Sequence, residues 1–272
     1  TQFYTCAIDK ATPGSQEIIG GLQDNGTLFT RWADNKKGWT NPNYSDGFYC
    51  NIEDGGRFYY VAQNASKQPM HQIFRVTLDE DGQRLIKTRI DPIGGLDFMW
   101  VNPYKLDPNN QKRMYLAGGQ IVWRNNNLDA IPVVETTDSI STEWDSIPQS
   151  RIQFGRISAL SVSKTPQNIV YYGTNYGEVY KIENANSKEP KVTNITSNSF
   201  PRSGFVGCVS VDPKDGNKVF AVFHNFNVKS VFYSTDAGKN WRHVTGNLEE
   251  EPGGLGAGPA CYWIEVLPIG DK

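Results

Sequence analysis

Short runs in which apolar and polar residues alternate recur along the whole chain, each rich in β-branched and aromatic side chains and closed by turn-forming residues. A period of two sends one set of side chains to a buried face and the other to solvent, the pattern of a half-buried antiparallel strand. A first strand of this kind, ending in an acidic or Asn-Pro turn, is predicted at Phe3 to Asp9, Phe48 to Glu53, Phe98 to Pro103, Ile157 to Ser163 and Val206 to Pro213, and once more at Cys261 to Pro268. A second strand follows a short polar turn at Glu17 to Gly21, Arg57 to Val61, Arg113 to Ala117, Ile169 to Gly173 and Lys218 to Val222. A third is predicted at Thr27 to Arg31, Ile73 to Thr77, Gln120 to Arg124, Glu178 to Ile182 and Ser230 to Ser234. The dipeptides Asn25-Gly26, Asp81-Gly82, Asn109-Asn110 and Asp215-Gly216 fall between these runs, where hairpins need them.

The corresponding positions Ile8, Ile52, Val101, Val162, Val211 and Ile264 are spaced by about 44, 49, 61, 49 and 53 residues. That interval suits a four-stranded propeller blade and is too long for a solenoid turn. The predicted fold is therefore all-β: a single β-propeller domain over 1–272 with four-stranded antiparallel blades, about five complete and the first strand of another. With the remaining strands of that sixth unit missing, the count predicts a fragment of a longer protein. The edge left unpaired would have to be covered.

One stretch, Ser234-Thr235-Asp236-Ala237-Gly238-Lys239-Asn240-Trp241, reads as a hairpin turn stapled by its own side chains. The Ser234 hydroxyl and Asp236 carboxylate are short enough to bond nearby amides, Gly238 can take a positive φ, and Trp241 is expected to be buried in the core. The pattern Ser-x-Asp-x-Gly-x-x-Trp resembles the Asp-box, or BNR repeat, of sialidase-type β-propellers, a family that includes sialidases, xyloglucanases and the sortilin ectodomain. Asp34 and Trp39 keep the same Asp-to-Trp offset, with Trp32 and Lys36 in place of Ser and Gly, and Trp144 reads as a fourth-strand tryptophan after a long insertion. The resemblance implies a structural role for Ser234, Asp236, Gly238 and Trp241.

Composition narrows the function. The net charge is −2 and no basic block occurs, which argues against nucleic acid. No apolar run approaches the roughly 18 residues a bilayer-spanning helix needs, and nothing at Thr1 reads as a signal peptide, which a mature or trimmed chain would have lost; the expected location is secreted or cell-surface. Cys6, Cys50, Cys208 and Cys261 lie far apart in similar contexts, as though each marks the same strand of a repeat; they read as buried thiols, with disulfides the alternative. His71, His224 and His243 are scattered, and neither a metal site nor a cofactor is predicted. The sequons at Asn25, Asn43, Asn64 and Asn194 are of the number chance supplies.

In the propeller architecture, the loops joining strand two to three, and strand four to the next strand one, share the channel face. That face would carry Asp24, Asp46, Asp97, Trp100, Arg156, Tyr176, Arg202 and Phe226, with ring faces of Phe48, Trp100 or Phe226 turned to the cavity. Such residues suit a sugar, since rings stack on pyranose faces and polar groups bond hydroxyls. A sialidase would need an Arg-Ile-Pro motif, and the nearest tripeptide is Arg156-Ile157-Ser158. Resemblance to xyloglucanases implies a carboxylate pair, for which Asp24 and Asp46 are the candidates; an inverting pair stands about 6.5–9.5 Å apart. One member would need an apolar pocket to stay protonated, a condition expected to fail within this chain alone. The alternative is a non-catalytic propeller that binds a protein or glycan ligand, as the sortilin ectodomain does with peptides.

Overall fold

The computed structural model describes residues 2–32, 37–65, 70–249 and 258–267. Among them are five four-stranded sheets, each built from consecutive strands in sequence order. Sheet one holds β1 (Phe3–Ile8), β2 (Ile18–Leu22), β3 (Gly26–Thr30) and β4 (Thr40–Asn43); sheet two holds β5 (Gly47–Ile52), β6 (Tyr59–Asn64), β7 (His71–Leu78) and β8 (Arg84–Arg89). Sheet three holds β9 (Tyr104–Asp107), β10 (Asn110–Gly118), β11 (Ile121–Asn125) and β12 (Trp144–Ile147). Sheet four holds β13 (Ile157–Val162), β14 (Val170–Thr174), β15 (Val179–Glu183) and β16 (Lys191–Asn194), and sheet five β17 (Val206–Val211), β18 (Val219–Phe223), β19 (Val231–Ser234) and β20 (Arg242–His243). In sheets one, two, four and five neighbouring strands pair antiparallel, as the short links between most of them require. Among the described residues, helix is limited to two 3-10 turns, Leu128–Ala130 and Pro148–Ser150.

The repeat is written in the register as well as in the spacing. β1, β13 and β17 pair with the strand that follows them in the same alignment, with a bulge at the same place: Phe3/Thr5, Ile157/Ala159 and Val206/Cys208. Each first strand also tends to end in an aspartate that caps the following turn. The Asp9 carboxylate accepts from the amides of Ala11 and Thr12, that of Asp107 from Asn109, and that of Asp212 from Lys214. A short carboxylate can stand in for the backbone acceptor of a turn, which is why aspartate recurs there.

The described chain divides into two compact units, Thr1–Leu106 with Gln111–Met114 and Asn125–Asp145, and Asp107–Asn110 with Tyr115–Arg124 and Ser146–Lys272. In the first, Ile19, Phe29, Ile52, Tyr59, Val61, Phe74 and Val76 form the core between sheets one and two. In the second, one core gathers around Tyr115, Val122, Ile157, Leu160 and Tyr172, and another around Tyr171, Val206, Val219, Phe223 and Phe232. Burying each large apolar side chain stabilises by about 1.5–3 kcal/mol.

Three expectations need correction. Phe98 to Pro103 is a loop, its turn closed by the Met99 amide donating to Asn102 Oδ1 at 2.9 Å, and the first strand of sheet three is β9. Leu106-Asp107 is the counterpart of Ile8-Asp9, so the Asn-Pro dipeptide at Asn102-Pro103 was the wrong turn signal and Asp107-Pro108-Asn109 the right one. The second concerns Cys261 to Pro268. Described residues 258–267 form no strand, although they lie beside sheet five, with Tyr262 against the His224 ring at 5.0 Å and Cys208 Sγ 3.6 Å from the Ile264 carbonyl; Pro268 is outside the described residues. The third is cysteine burial: none of the four is in a disulfide, Cys50 and Cys208 are buried, Cys6 is exposed and Cys261 half-buried. Desolvation pushes the Cys50 thiol up to about 12.

Candidate functional site

The Asp-box turn between β19 and β20 closes on itself. Ser234 Oγ donates to Asp236 Oδ1 at 2.9 Å and accepts from the amides of Asp236 at 3.3 Å and Gly238 at 2.8 Å. Asp236 in turn accepts from the Asn240 amide and, through Oδ2, from the Asn240 side chain at 2.7 Å. Those Asn240 contacts hold the Asp236 carboxyl below its usual range. Gly238 has φ +86°, and a β carbon there would strike Ile195. Trp241 is half-buried, contrary to expectation, because its ring lies edge-on to Phe200 at the margin of the core while its indole N–H reaches the Ile195 carbonyl at 2.8 Å. Asp34 and Lys36 lie outside the described residues. Replacing Ser234 by alanine orphans the buried Gly238 amide and is expected to lower stability by about 1–2 kcal/mol in urea unfolding, whereas Ser234→Thr keeps most of it.

In the first unit, Asp24 sits at φ +60° in the β2–β3 turn and Asp46 just before β5. The structure brings them together: Asp46 Oδ1 accepts from the Asp24 amide at 2.8 Å, and the Asp46 carbonyl accepts from the Asn64 amide. Glycines make this approach possible, because a β carbon at Gly21 would strike the Phe48 carbonyl and one at Gly47 the Gly26 carbonyl. Asp46 is thus a staple between the entry to sheet two and the turn of sheet one. Asp24 is exposed and Asp46 half-buried.

Asp97, at φ +57°, is exposed in the loop before β9, as is Trp100. Trp100 donates to the Tyr4 hydroxyl at 3.4 Å and lies edge-on to Phe48 at 5.2 Å. Phe48 itself is 1% exposed and stacks on His71, so of the rings expected to face a cavity it is a packing residue. The sequence reading missed His71, which is buried between Phe48 and Phe98 with neither ring nitrogen hydrogen-bonded in good geometry.

In the second unit, Arg156, Tyr176, Arg202 and Phe226 are all exposed on loops that flank the first strands of sheets four and five. The backbone beneath them is latched twice in the same way. Asn175 Oδ1 accepts from the Arg156 amide at 2.7 Å while the Asn175 amide donates back to the Arg156 carbonyl at 3.0 Å. Asn225 Oδ1 accepts from the Phe205 amide at 2.7 Å, and the His224 amide donates to the Phe205 carbonyl at 3.2 Å. The 175–177 turn touches the next loop, since a β carbon on Gly177 would lie 3.1 Å from Gly204 N. Asn175 and Asn225 are therefore the frame, each standing just after the second strand of its sheet. The rings they hold up are Phe154, Tyr176 and Phe226, 61%, 53% and 66% exposed. A concavity of about 710 Å³ lies elsewhere in this unit, beside the Asp-box, lined by Thr196, Ser197, Ser199, Asn240 and Trp241.

Among the described residues, no group of three or more His, Cys, Asp or Glu is placed to hold a metal ion. Nor is any helix among them long and apolar enough to cross a membrane.

The described residues form an all-β fold of five four-stranded antiparallel sheets, with exposed aromatic and charged residues such as Arg156, Tyr176 and Phe226 on connecting loops. No family model matches the chain, and no curated protein matches it. Among solved structures it is similar to PorZ, a bacterial surface component of the type-IX secretion system of Porphyromonas gingivalis, with a TM-score of 0.58 and 14% identity over 93% of this chain. The chain spans 35% of the length of PorZ.

Proposed function

We propose that the five sheets are blades of one β-propeller of the Asp-box type spanning 1–272, and that it serves as a non-catalytic binding module of a secreted or cell-surface protein, taking a protein or glycan ligand. The observation that carries this reading is the patch of Arg156, Tyr176 and Arg202, with Phe226 on the adjoining loop: rings and guanidinium groups left in solvent above a backbone held rigid by Asn175 and Asn225. Rigid loops lose little entropy on binding, and Tyr, Trp and Arg are the side chains that anchor interfaces. The aligned registers and the stapled turn support the propeller. Likeness to a chain described as a bacterial surface component supports the localisation. Asp24 and Asp46 remain candidates for a xyloglucanase-like cleavage, but the Asp46 bond to the Asp24 amide favours a structural role for that pair.

The test is a glycan array and a peptide panel screened with the 272-residue chain, followed by titration of whatever binds. Arg156→Ala with Arg202→Ala, and Tyr176→Ala separately, are each expected to weaken binding about tenfold or more while leaving the unfolding temperature unchanged. Binding that ignores both changes would reject the patch. Hydrolysis of xyloglucan that is lost in Asp24→Asn and in Asp46→Asn would replace the binding reading with the catalytic one.

A further inference from the structure

The concavity beside the Asp-box is built entirely from residues of the second unit. One wall is the end of β16 with the loop that follows it, and the other is the turn joining β19 to β20. The two walls are tied to each other. The Trp241 indole N–H reaches the Ile195 carbonyl at 2.8 Å, and Gly238 comes so close to Ile195 that a β carbon on it would stand 2.4 Å from Ile195 Cδ1. Each wall is also fixed within itself. In the first, Thr196 Oγ1 accepts from the Val179 amide at 2.9 Å and Ser197 Oγ from the Ser199 amide at 3.1 Å; the second is the self-bonded turn of Ser234 and Asp236. A groove of about 710 Å³ with both walls held has the size of small-molecule sites, roughly 300–1,000 Å³, and loses little entropy when it is filled.

The chemistry of the walls selects the ligand. Backbone donors are largely spent: the Ile195 amide on the Val179 carbonyl, that of Thr196 on Asn194 Oδ1, and those of Gly238 and Asn240 on Ser234 Oγ and Asp236 Oδ1. An extended peptide binds by adding to a ladder of unpaired amides and carbonyls, which these segments do not offer. What remains is side chain. Thr193, Asn198 and Lys239 line the groove, and their side chains make no hydrogen bond or salt bridge to any described residue. Lys239 is the single charged residue of the lining, and the nearby Asp236 has both carboxylate oxygens engaged by Ser234 and Asn240. Trp241, half-buried, contributes the uncovered part of its ring. Hydroxyl and amide groups beside an indole, with almost no charge, match a neutral saccharide, whose hydroxyls donate and accept and whose C–H faces lie against aromatic rings.

We infer that this groove is a binding site for a short neutral oligosaccharide, held by Thr193, Asn198 and Lys239 with a sugar ring against Trp241. It shares no residue with the patch of Arg156, Tyr176 and Arg202, so either site can exist without the other.

The test titrates the 272-residue chain with cellotriose, maltotriose and triacetylchitotriose while reading the Trp241 indole N–H resonance, assigned by its loss in Trp241→Phe. At least one of the three is expected to shift that resonance saturably, with a Kd of about 1 mM or tighter. Thr193→Val combined with Asn198→Ala removes two polar groups that bond no described residue. This double change is expected to weaken binding about tenfold and leave the unfolding temperature as it is. Arg156→Ala with Arg202→Ala should not alter the titration. Absence of a saturable shift with all three sugars would overturn the inference, and a shift with acetyl-pentaserine amide alone would assign the groove to a peptide instead. A sugar-induced shift that survives Thr193→Val with Asn198→Ala, or that the arginine changes abolish, would place the sugar elsewhere and overturn it equally.

Discussion

Replacing Arg75 with methionine is expected to lower the unfolding free energy of the first unit by about 3 kcal/mol, measured by urea titration. Arg75, in β7, is 2% exposed and its guanidinium donates to the carbonyls of Leu128 and Ile131 at 2.7 Å each and of Pro132 at 3.2 Å, while lying over the Phe58 ring at 4.5 Å. Methionine keeps the apolar stem and loses every donor, so in the long β11–β12 connection the buried Ile131 carbonyl loses the guanidinium and the Leu128 carbonyl is left with the Ile131 amide alone. Each such loss destabilises by about 1–3 kcal/mol. Arg75→Lys should recover less than half, because one ammonium cannot span carbonyls that the planar fork reaches together. Arg124 in β11 holds the Ala185 and Ser187 carbonyls in the same manner, so Arg124→Met is expected to act alike on the second unit. Variants as stable as the wild type would mean that water satisfies these carbonyls and that the arginines are incidental.

Stability is also expected to fall as the solution is acidified from neutrality, through His71. Burial between Phe48 and Phe98 pushes its imidazole down to about 3, with only the Trp100 backbone pulling the other way. In the unfolded chain a histidine titrates near 6.5. Above that value both states are neutral and the stability is fully present. Below it the unfolded chain takes up a proton that the folded chain refuses, and stability drops by about 1.4 kcal/mol per pH unit until the folded value is reached. Between pH 7 and 5 the loss is about 2 kcal/mol. His71→Phe, which fits among the same rings, should flatten that slope; an unchanged slope would place the acid sensitivity on other groups.

Particular residues separate what could be read from the chain from what could not. The strands were legible wherever the signal was local. Ile157 to Val162 alternates and ends at a polar turn, and the structure has β13 there. Trp144, set after a long insertion, opens β12. The reading failed at Phe98 to Pro103, where an aromatic run serves loop packing against His71 and two turn signals compete within a few residues. Among the candidate site residues, the exposure of Asp24, Asp97, Arg156, Tyr176, Arg202 and Phe226 could be foreseen from their place in polar loops. The staple role of Asp46 could not, because its partner is a backbone amide 22 residues away in the neighbouring sheet.

The sequence alone determined the all-β class, the four-strand repeat and the self-bonded turn from Ser234 to Trp241, since each rests on side-chain periodicity or on bonds spanning a few residues. Only the tertiary structure decided which polar residues are framework. Asn175, Asn225 and Asp46 bond amides at distances of 19, 20 and 22 residues along the chain. Arg75 and Arg124 reach carbonyls more than 50 residues away. Whether a polar side chain meets water, a ligand or another segment's backbone depends on how sheets stack, and stacking is set by contacts between residues that composition and period treat as independent.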